Sequence, residues 1–174
     1  MRLFEIIPLS IFVLYIRFID INTGQDWNLP FLISGLMALV AIILFTARKI
    51  LFNRLFLGIN IYLFSGALAI ISHQWWLNEI YGKLHASGML AWIVIVGFIS
   101  LLLSPRGFIG VDCPDKNFIR KTSLLLLFTS VCAFALSFAF RGNRVLSEII
   151  PFIMVFVMQQ MLRNQRTDRK EKGQ

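Results

Sequence analysis

The sequence predicts an all-α, polytopic integral membrane protein with six transmembrane helices and both termini on the cytoplasmic side (N-in/C-in). Three observations lead there. The chain of 174 residues is 57% hydrophobic and 15% charged, where soluble domains carry about 25% charged residues. Its apolar residues gather into six stretches close to the ~20 residues that a helix needs to cross the hydrocarbon core. Basic residues collect in every second gap between those stretches, which is the positive-inside pattern. The mean hydropathy of +0.75 agrees.

The six stretches are Leu3–Ile19, Phe31–Ala47, Leu55–Ser72, Leu84–Ser104, Ser123–Phe140 and Val145–Leu162. Each is read as a helix because backbone polar groups in lipid must be satisfied within a helix or a closed barrel. Barrel strands alternate apolar and polar residues. The runs Leu124-Leu125-Leu126-Leu127 and Ile93-Val94-Ile95-Val96 do not. The first stretch is read as a retained helix, since Glu5 and Pro8 follow Arg2 closely and no small-residue cleavage pattern comes after it. Short links, Phe52-Asn53-Arg54 and Arg141-Gly142-Asn143-Arg144, make spans two and three, and five and six, antiparallel neighbours. The link Gln74–Lys83 carries Trp75, Trp76 and Tyr81, residue types that anchor helix ends at the aqueous interface. The longest link, Pro105–Thr122, holds two prolines and two glycines, and its Gly107–Val111 run is expected on the inner surface. Residues 1–163 thus form the transmembrane domain. Residues 164–174 form a basic cytoplasmic tail too polar to bury a core and expected to be disordered.

The formal net charge of +8 is explained by topology and not by nucleic acid, which is excluded as a partner. With the N-terminus inside, the cytoplasmic side holds Arg2, then Arg48, Lys49 and Arg54, then Arg106, Lys116, Arg120 and Lys121, and finally Arg163, Arg166, Arg169, Lys170 and Lys172. That is thirteen of the 17 basic residues. The outer side holds Lys83, Arg141 and Arg144, with Arg17 near the outer end of the first helix. The lipid bilayer is therefore the first partner, and the tail is expected to meet anionic lipid headgroups.

Chemistry-bearing residues are few. No Gly-rich phosphate loop, G-x-S-x-G or H-E-x-x-H occurs, so no catalytic residue, cofactor or metal ligand is assigned. His73 and His85 flank Glu79 at spacings that match no zinc motif. Cys113 and Cys132 fall at different depths and are not expected to pair. The candidate polar functional positions are Glu5, Arg17, Asp20, Asn60, Arg144, Glu148 and Gln159. Ionisable residues in or near spans are functional suspects, while Arg17 with Asp20, and Arg144 with Glu148, have the helical spacing of ordinary ion pairs. Asn60 and Gln159 are expected to bond between helices. Glu5-Ile6-Ile7-Pro8 and Glu148-Ile149-Ile150-Pro151 repeat one motif at opposite faces. Each proline is read as a first-turn residue, against the alternative of an inverted transporter repeat. Small-x-x-x-small pairs, Ser34 and Ala38, Ser65 and Ala69, and Ala133 and Ser137, mark close helix contacts.

The opening Glu5-x-x-Pro8-Leu9-x-x-Phe12, followed by Arg17 and Asp20, resembles the first span of the bacterial intracellular septation protein A family. So does Phe64-Ser65-Gly66 with His73 near the end of the third span. The resemblance implies a protein of the bacterial inner membrane that binds other membrane proteins in cell-envelope maintenance or division, without catalytic residues. Beside this non-enzymatic binder stand a small transporter or transporter subunit with a polar site near the outer face, and thirdly a membrane enzyme. A cavity lined by Asn60, Gln159 and Glu148 would favour the transporter. A filled core with a flat helix face would favour the binder.

The charge pattern predicts that reporters fused after Arg54, Lys116 and Gln174 stay cytoplasmic and that fusions after Asp26, Lys83 and Gly142 are exported. A C-terminal fusion that reads as periplasmic would overturn the six-span count.

Overall fold

The computed structural model describes residues 3–18, 24–48, 52–110, 115–143 and 145–172, with side chains over 4–18, 26–48, 52–110, 115–143 and 145–165. Every regular element among them is helical. Five helices are long and apolar enough to cross a membrane: Asn28–Ala47, Arg54–Ile71, Ala86–Leu103, Lys116–Ala139 and Val145–Gln165. The first helix, α1 (Leu3–Phe18), has 16 residues. At 1.5 Å per residue it reaches about 24 Å, short of the ~30 Å hydrocarbon thickness.

Pro8 lies inside α1, past its first turn, so it is not the helix-start proline expected from sequence. A proline there removes one backbone bond and disturbs the preceding turn. The carbonyl of Glu5, in that turn, accepts a bond from the Asn60 side chain at 3.2 Å. A 3-10 turn, Gly24–Trp27, leads into α2 (Asn28–Ala47). Pro30 sits in the first turn of α2, where its missing N–H costs little. The third helix, α3 (Arg54–Ile71), starts on Asn53, whose side chain accepts from the Leu55 amide at 3.2 Å.

The aromatic Gln74–Lys83 link is not a loop. Residues Trp75–Leu84 form α4, a short helix bracketed by two histidines with positive φ, His73 (56°) and His85 (50°). Histidine tolerates this region better than most non-glycine residues. At His73 the chain folds back, and the Gln74 amide bonds the Ala69 carbonyl at 2.7 Å, which closes α3. Helix α5 (Ala86–Leu103) follows directly.

The Gly107–Gly110 run also departs from expectation. Phe108 and Ile109 are buried in the core instead of lying on a surface. Gly107 and Gly110, at φ 58° and 67°, let the chain reverse. Gly97 of α5 gives the Phe108 ring room, since a Cβ there would lie 2.8 Å from it. Helix α6 (Lys116–Ala139) begins at Lys116 and not at Ser123, because Asp115 caps it by accepting from the Asn117 and Phe118 amides at 2.9 and 3.1 Å. Its buried hydroxyls on Thr122, Thr129 and Ser130 bond carbonyls four residues back.

A π-helical turn, Val145–Ile149, leads into α7 (Ile150–Lys172), which runs on into the basic segment. Pro151 accounts for this irregular start. It has no N–H to offer the Ser147 carbonyl, and Ser137 of α6 donates to that carbonyl instead.

In the bundle, α1 packs on α2, α2 on α3, α3 on α5, α5 on α6 and α6 on α7, while α1 also touches α3. Helix α3 is the most buried of the candidate spans, and Leu55, Ile59 and Leu63 carry its core face. Small residues let α2 and α3 approach. A Cβ on Gly35 would lie 2.3 Å from that of Ala67, and one on Gly66 would lie 2.4 Å from the Phe31 ring. Ser34 and Ala38, the small pair expected to mark a helix contact, are both buried on α2, while the close approach itself is made by Gly35 and Gly66.

Gly35→Leu should therefore destabilise the protein by ~1–3 kcal/mol or more through overpacking. Gly82→Ala, where a Cβ meets nothing within 4 Å, should leave stability unchanged or slightly raised. Thermal melting in detergent, followed by size-exclusion fluorescence, checks the pair.

Candidate functional site

Two polar features mark opposite ends of the bundle. At one end, residues of α1, α3 and α7 are tied together. Asn53 at the start of α3 and Gln159 of α7 exchange reciprocal amide bonds. Gln159 Nε2 donates to Asn53 Oδ1 at 2.7 Å, and Asn53 Nδ2 donates to Gln159 Oε1 at 3.2 Å. The Asn53 backbone N–H donates to Glu5 Oε2 of α1 at 3.3 Å. Asn60, one helical stretch along α3, donates to the Glu5 and Phe56 carbonyls at 3.2 and 2.7 Å. Glu5, Asn60 and Gln159 are all buried. Beside this clasp Arg54 donates to Ser104 Oγ, which joins α3 to the end of α5. The Phe56 and Phe156 rings, 5.4 Å apart, lie next along α3 and α7.

Beyond those rings α1 and α7 part, and a cleft of about 1610 Å³ opens between them. Leu9, Phe12, Val13 and Ile16 of α1 form one wall, and Ile149, Phe152, Ile153 and Phe156 form the other. Val13 and Ile153 are exposed into it. The back is aromatic. Phe31 sits 5.0 Å from Phe12, 5.6 Å from Tyr62 and 6.2 Å from Tyr81, ring to ring, and Tyr62 lies 4.6 Å from Tyr81. Tyr81 is held in place. Its hydroxyl accepts from Trp92 Nε1 at 2.7 Å and lies 2.7 Å from Ser65 Oγ, which itself donates to the Tyr62 carbonyl.

The charged residues that line the cleft are Arg17, Glu79, Lys83, Arg141 and Glu148. Lys83 and Glu79 pair at 2.9 Å with both side chains exposed, so the pair contributes about 0–1 kcal/mol. Glu148 is engaged in an interaction of its own. The Arg141 guanidinium lies 3.5 Å from the Phe138 ring centre and donates one N–H to the Lys83 carbonyl at 3.4 Å, out of five donors. Arg17 is exposed and makes no bond to any described residue. Between the charges and the aromatic wall stands Asn78 of α4. Both polar atoms of its side chain are buried and find no hydrogen-bond partner among the described residues. A buried amide in that state costs ~1–3 kcal/mol, which something in the cleft can relieve.

The polar positions picked out from sequence thus divide. Glu5, Asn60 and Gln159 meet in the clasp, while Arg17 and Glu148 reach the cleft. Asp20 and Arg144, and with them the expected pairs, lie outside the described residues, as does Cys113. Asn60 and Gln159 do not line the cleft. Asn53, Asn78 and Arg141 were not singled out from sequence. Asn53 had a signal as an asparagine directly before an apolar run, the N-cap position. Asn78 had none, because its burial depends on how α4 folds over the other helices. Among the described residues no group of three His, Cys, Asp or Glu side chains is placed to hold a metal ion.

Gln159→Ala should cost ~1–3 kcal/mol, since it leaves the part-buried Asn53 amide half-paired. Gln160→Ala, at an exposed neighbour whose bond is to Asn164, should leave the melting temperature where it is. Equal effects of the two would mean that the clasp does not hold α7.

No family model matches this chain, and no match is found among curated proteins or among solved structures.

Proposed function

We propose that this chain is a six-span protein of the bacterial inner membrane, both termini cytoplasmic, that binds and carries a hydrophobic or amphiphilic ligand in the cleft between α1 and α7. The observation that carries the reading is the cleft itself. It is larger than the ~300–1,000 Å³ of pockets for drug-sized molecules, apolar and aromatic through most of its depth, and charged only at one end. It sits at the end that the positive-inside pattern assigns to the outer face. That is where a transporter or transporter subunit with an outer polar site would place it.

The sixth span is α1. It runs from the clasp at Glu5 to the cleft rim at Arg17, so it covers the depth of the bundle despite its length, and local thinning of the bilayer accommodates the shortfall. With α1 counted, the start of α1 and the later half of α7 leave the same end, as Glu5 and Gln159 both bonding Asn53 require.

The second reading, a non-enzymatic binder of other membrane proteins in envelope maintenance or division, is favoured by the resemblance of the Glu5–Asp20 segment to the septation family. The cleft is extra to that role.

Native mass spectrometry of the protein extracted in mild detergent tests the first reading. At least one bound lipid or other amphiphile per chain is expected. Val13→Trp combined with Ile153→Trp, which fills the cleft from both walls, should lower retention ~10-fold or more, because a ligand loses most of its apolar contact. A wild-type chain that retains nothing, or a filled variant that retains as much, favours the protein-binding role.

A further inference from the structure

The cleft is apolar along its walls, but its rim is not balanced. Lys83 and Glu79 cancel each other, and Glu148 is already engaged. This leaves Arg17, without a described partner, and Arg141, whose guanidinium spends one of its five donors on a carbonyl. Asn78 lines the same cleft, and its side-chain amide is buried with neither donor nor acceptor used among the described residues. Two guanidiniums and an unpaired amide at the mouth of a long apolar cleft are complementary to one kind of molecule. Its head carries oxygen anions and its body is hydrocarbon.

Two other ligand classes fit less well. A cationic or quaternary ammonium head would need open aromatic faces. Phe12, Phe31, Tyr62 and Tyr81 are each at most 6% exposed, and the exposed Trp75 lines the cleft together with Arg17, Lys83 and Arg141, which repel a cation. A small free anion would leave about 1610 Å³ of apolar cleft without a role. Guanidinium groups recognise phosphate oxygens by paired, charge-assisted bonds.

We propose that the cleft takes a lipid with an anionic phosphate head group, its chains between α1 and α7 and its phosphate met by Arg17 and Arg141 with the Asn78 amide as the neutral donor. This rests on the ligand-binding reading above and adds head-group selectivity to it. A lipid so held enters sideways, between α1 and α7.

The test uses the full-length protein in neutral detergent, stripped of lipid and titrated with phosphatidylglycerol or with diacylglycerol, which lacks the phosphate, carrying identical acyl chains. Lipid-bound species are counted by native mass spectrometry, and the readout is the ratio of the two affinities. Wild type should prefer phosphatidylglycerol by ~10-fold or more, the scale of one or two charge-assisted bonds. The Arg17→Gln, Arg141→Gln double variant should bring the ratio close to one, while the Arg17→Lys, Arg141→Lys pair keeps most of it. Asn78→Ala should weaken both lipids with a larger loss for phosphatidylglycerol. Lys116→Gln with Arg120→Gln, at the opposite end, should leave the ratio unchanged. Equal binding of both lipids by wild type overturns the head-group assignment and leaves the ligand-binding reading standing. Failure of both lipids to bind overturns both readings. A double variant that loses the two lipids equally, with its ratio intact, also overturns the proposal, because the arginines would then act through the fold.

Discussion

The reciprocal bonds between Asn53 and Gln159, with Glu5 joined through the Asn53 amide, hold the architecture open. Helices α1 and α7 are each secured by a sequence neighbour, α2 and α6. Their only described polar link to a common point is at this end. A part-buried amide left without a partner costs ~1–3 kcal/mol, which favours the clasp once formed. It brings the two helices together at one end and leaves them free to part at the other. The cleft is what remains between them.

Both prolines serve the same geometry. Each removes a donor from its helix, and in each case a polar side chain of a neighbouring helix bonds a carbonyl in the turn before the proline. Asn60 of α3 does this at Glu5, and Ser137 of α6 does it at Ser147. The two Glu-Ile-Ile-Pro motifs are thus fastening points between helices. The turns that the prolines disturb are repaired by helix-to-helix bonds, which explains how an apolar bundle tolerates them.

The cleft's chemistry follows from a division of labour between its walls and its rim. The aromatic wall is rigid, because Tyr81 is fixed by Trp92 and Ser65 and its ring is packed between Tyr62 and Phe31. The rim is adjustable, since long arginines stand at its edge. Helix α4 connects the two. It carries Tyr81 into the wall and Asn78, Glu79 and Lys83 into the rim, and the two positive-φ histidines set the turns that lay it there.

The helical, membrane-compatible class was legible in the sequence, while of the six stretches read as spans five return as helices long and apolar enough to cross a membrane and the first is shorter. Apolar run length is a local property, and the cost of exposing backbone to lipid converts it directly into helices. The five long helices therefore fall close to the stretches read from hydropathy. The small Ser34–Ala38 pair is buried on α2, while Gly35 and Gly66 make the close approach itself. Helix ends were less legible where a cap decided them. Asp115 draws α6 back to Lys116, and the aromatic link winds into α4. Glu5, Asn60 and Gln159 were visible as polar residues in apolar surroundings, but nothing local said that they belong to one clasp and that the cleft belongs to Arg17, Arg141 and Asn78. Those groupings join residues about 50 to 100 positions apart. They arise from which helices pack together and where two of them diverge, so only the tertiary structure decided which polar residues hold the bundle and which face the cleft.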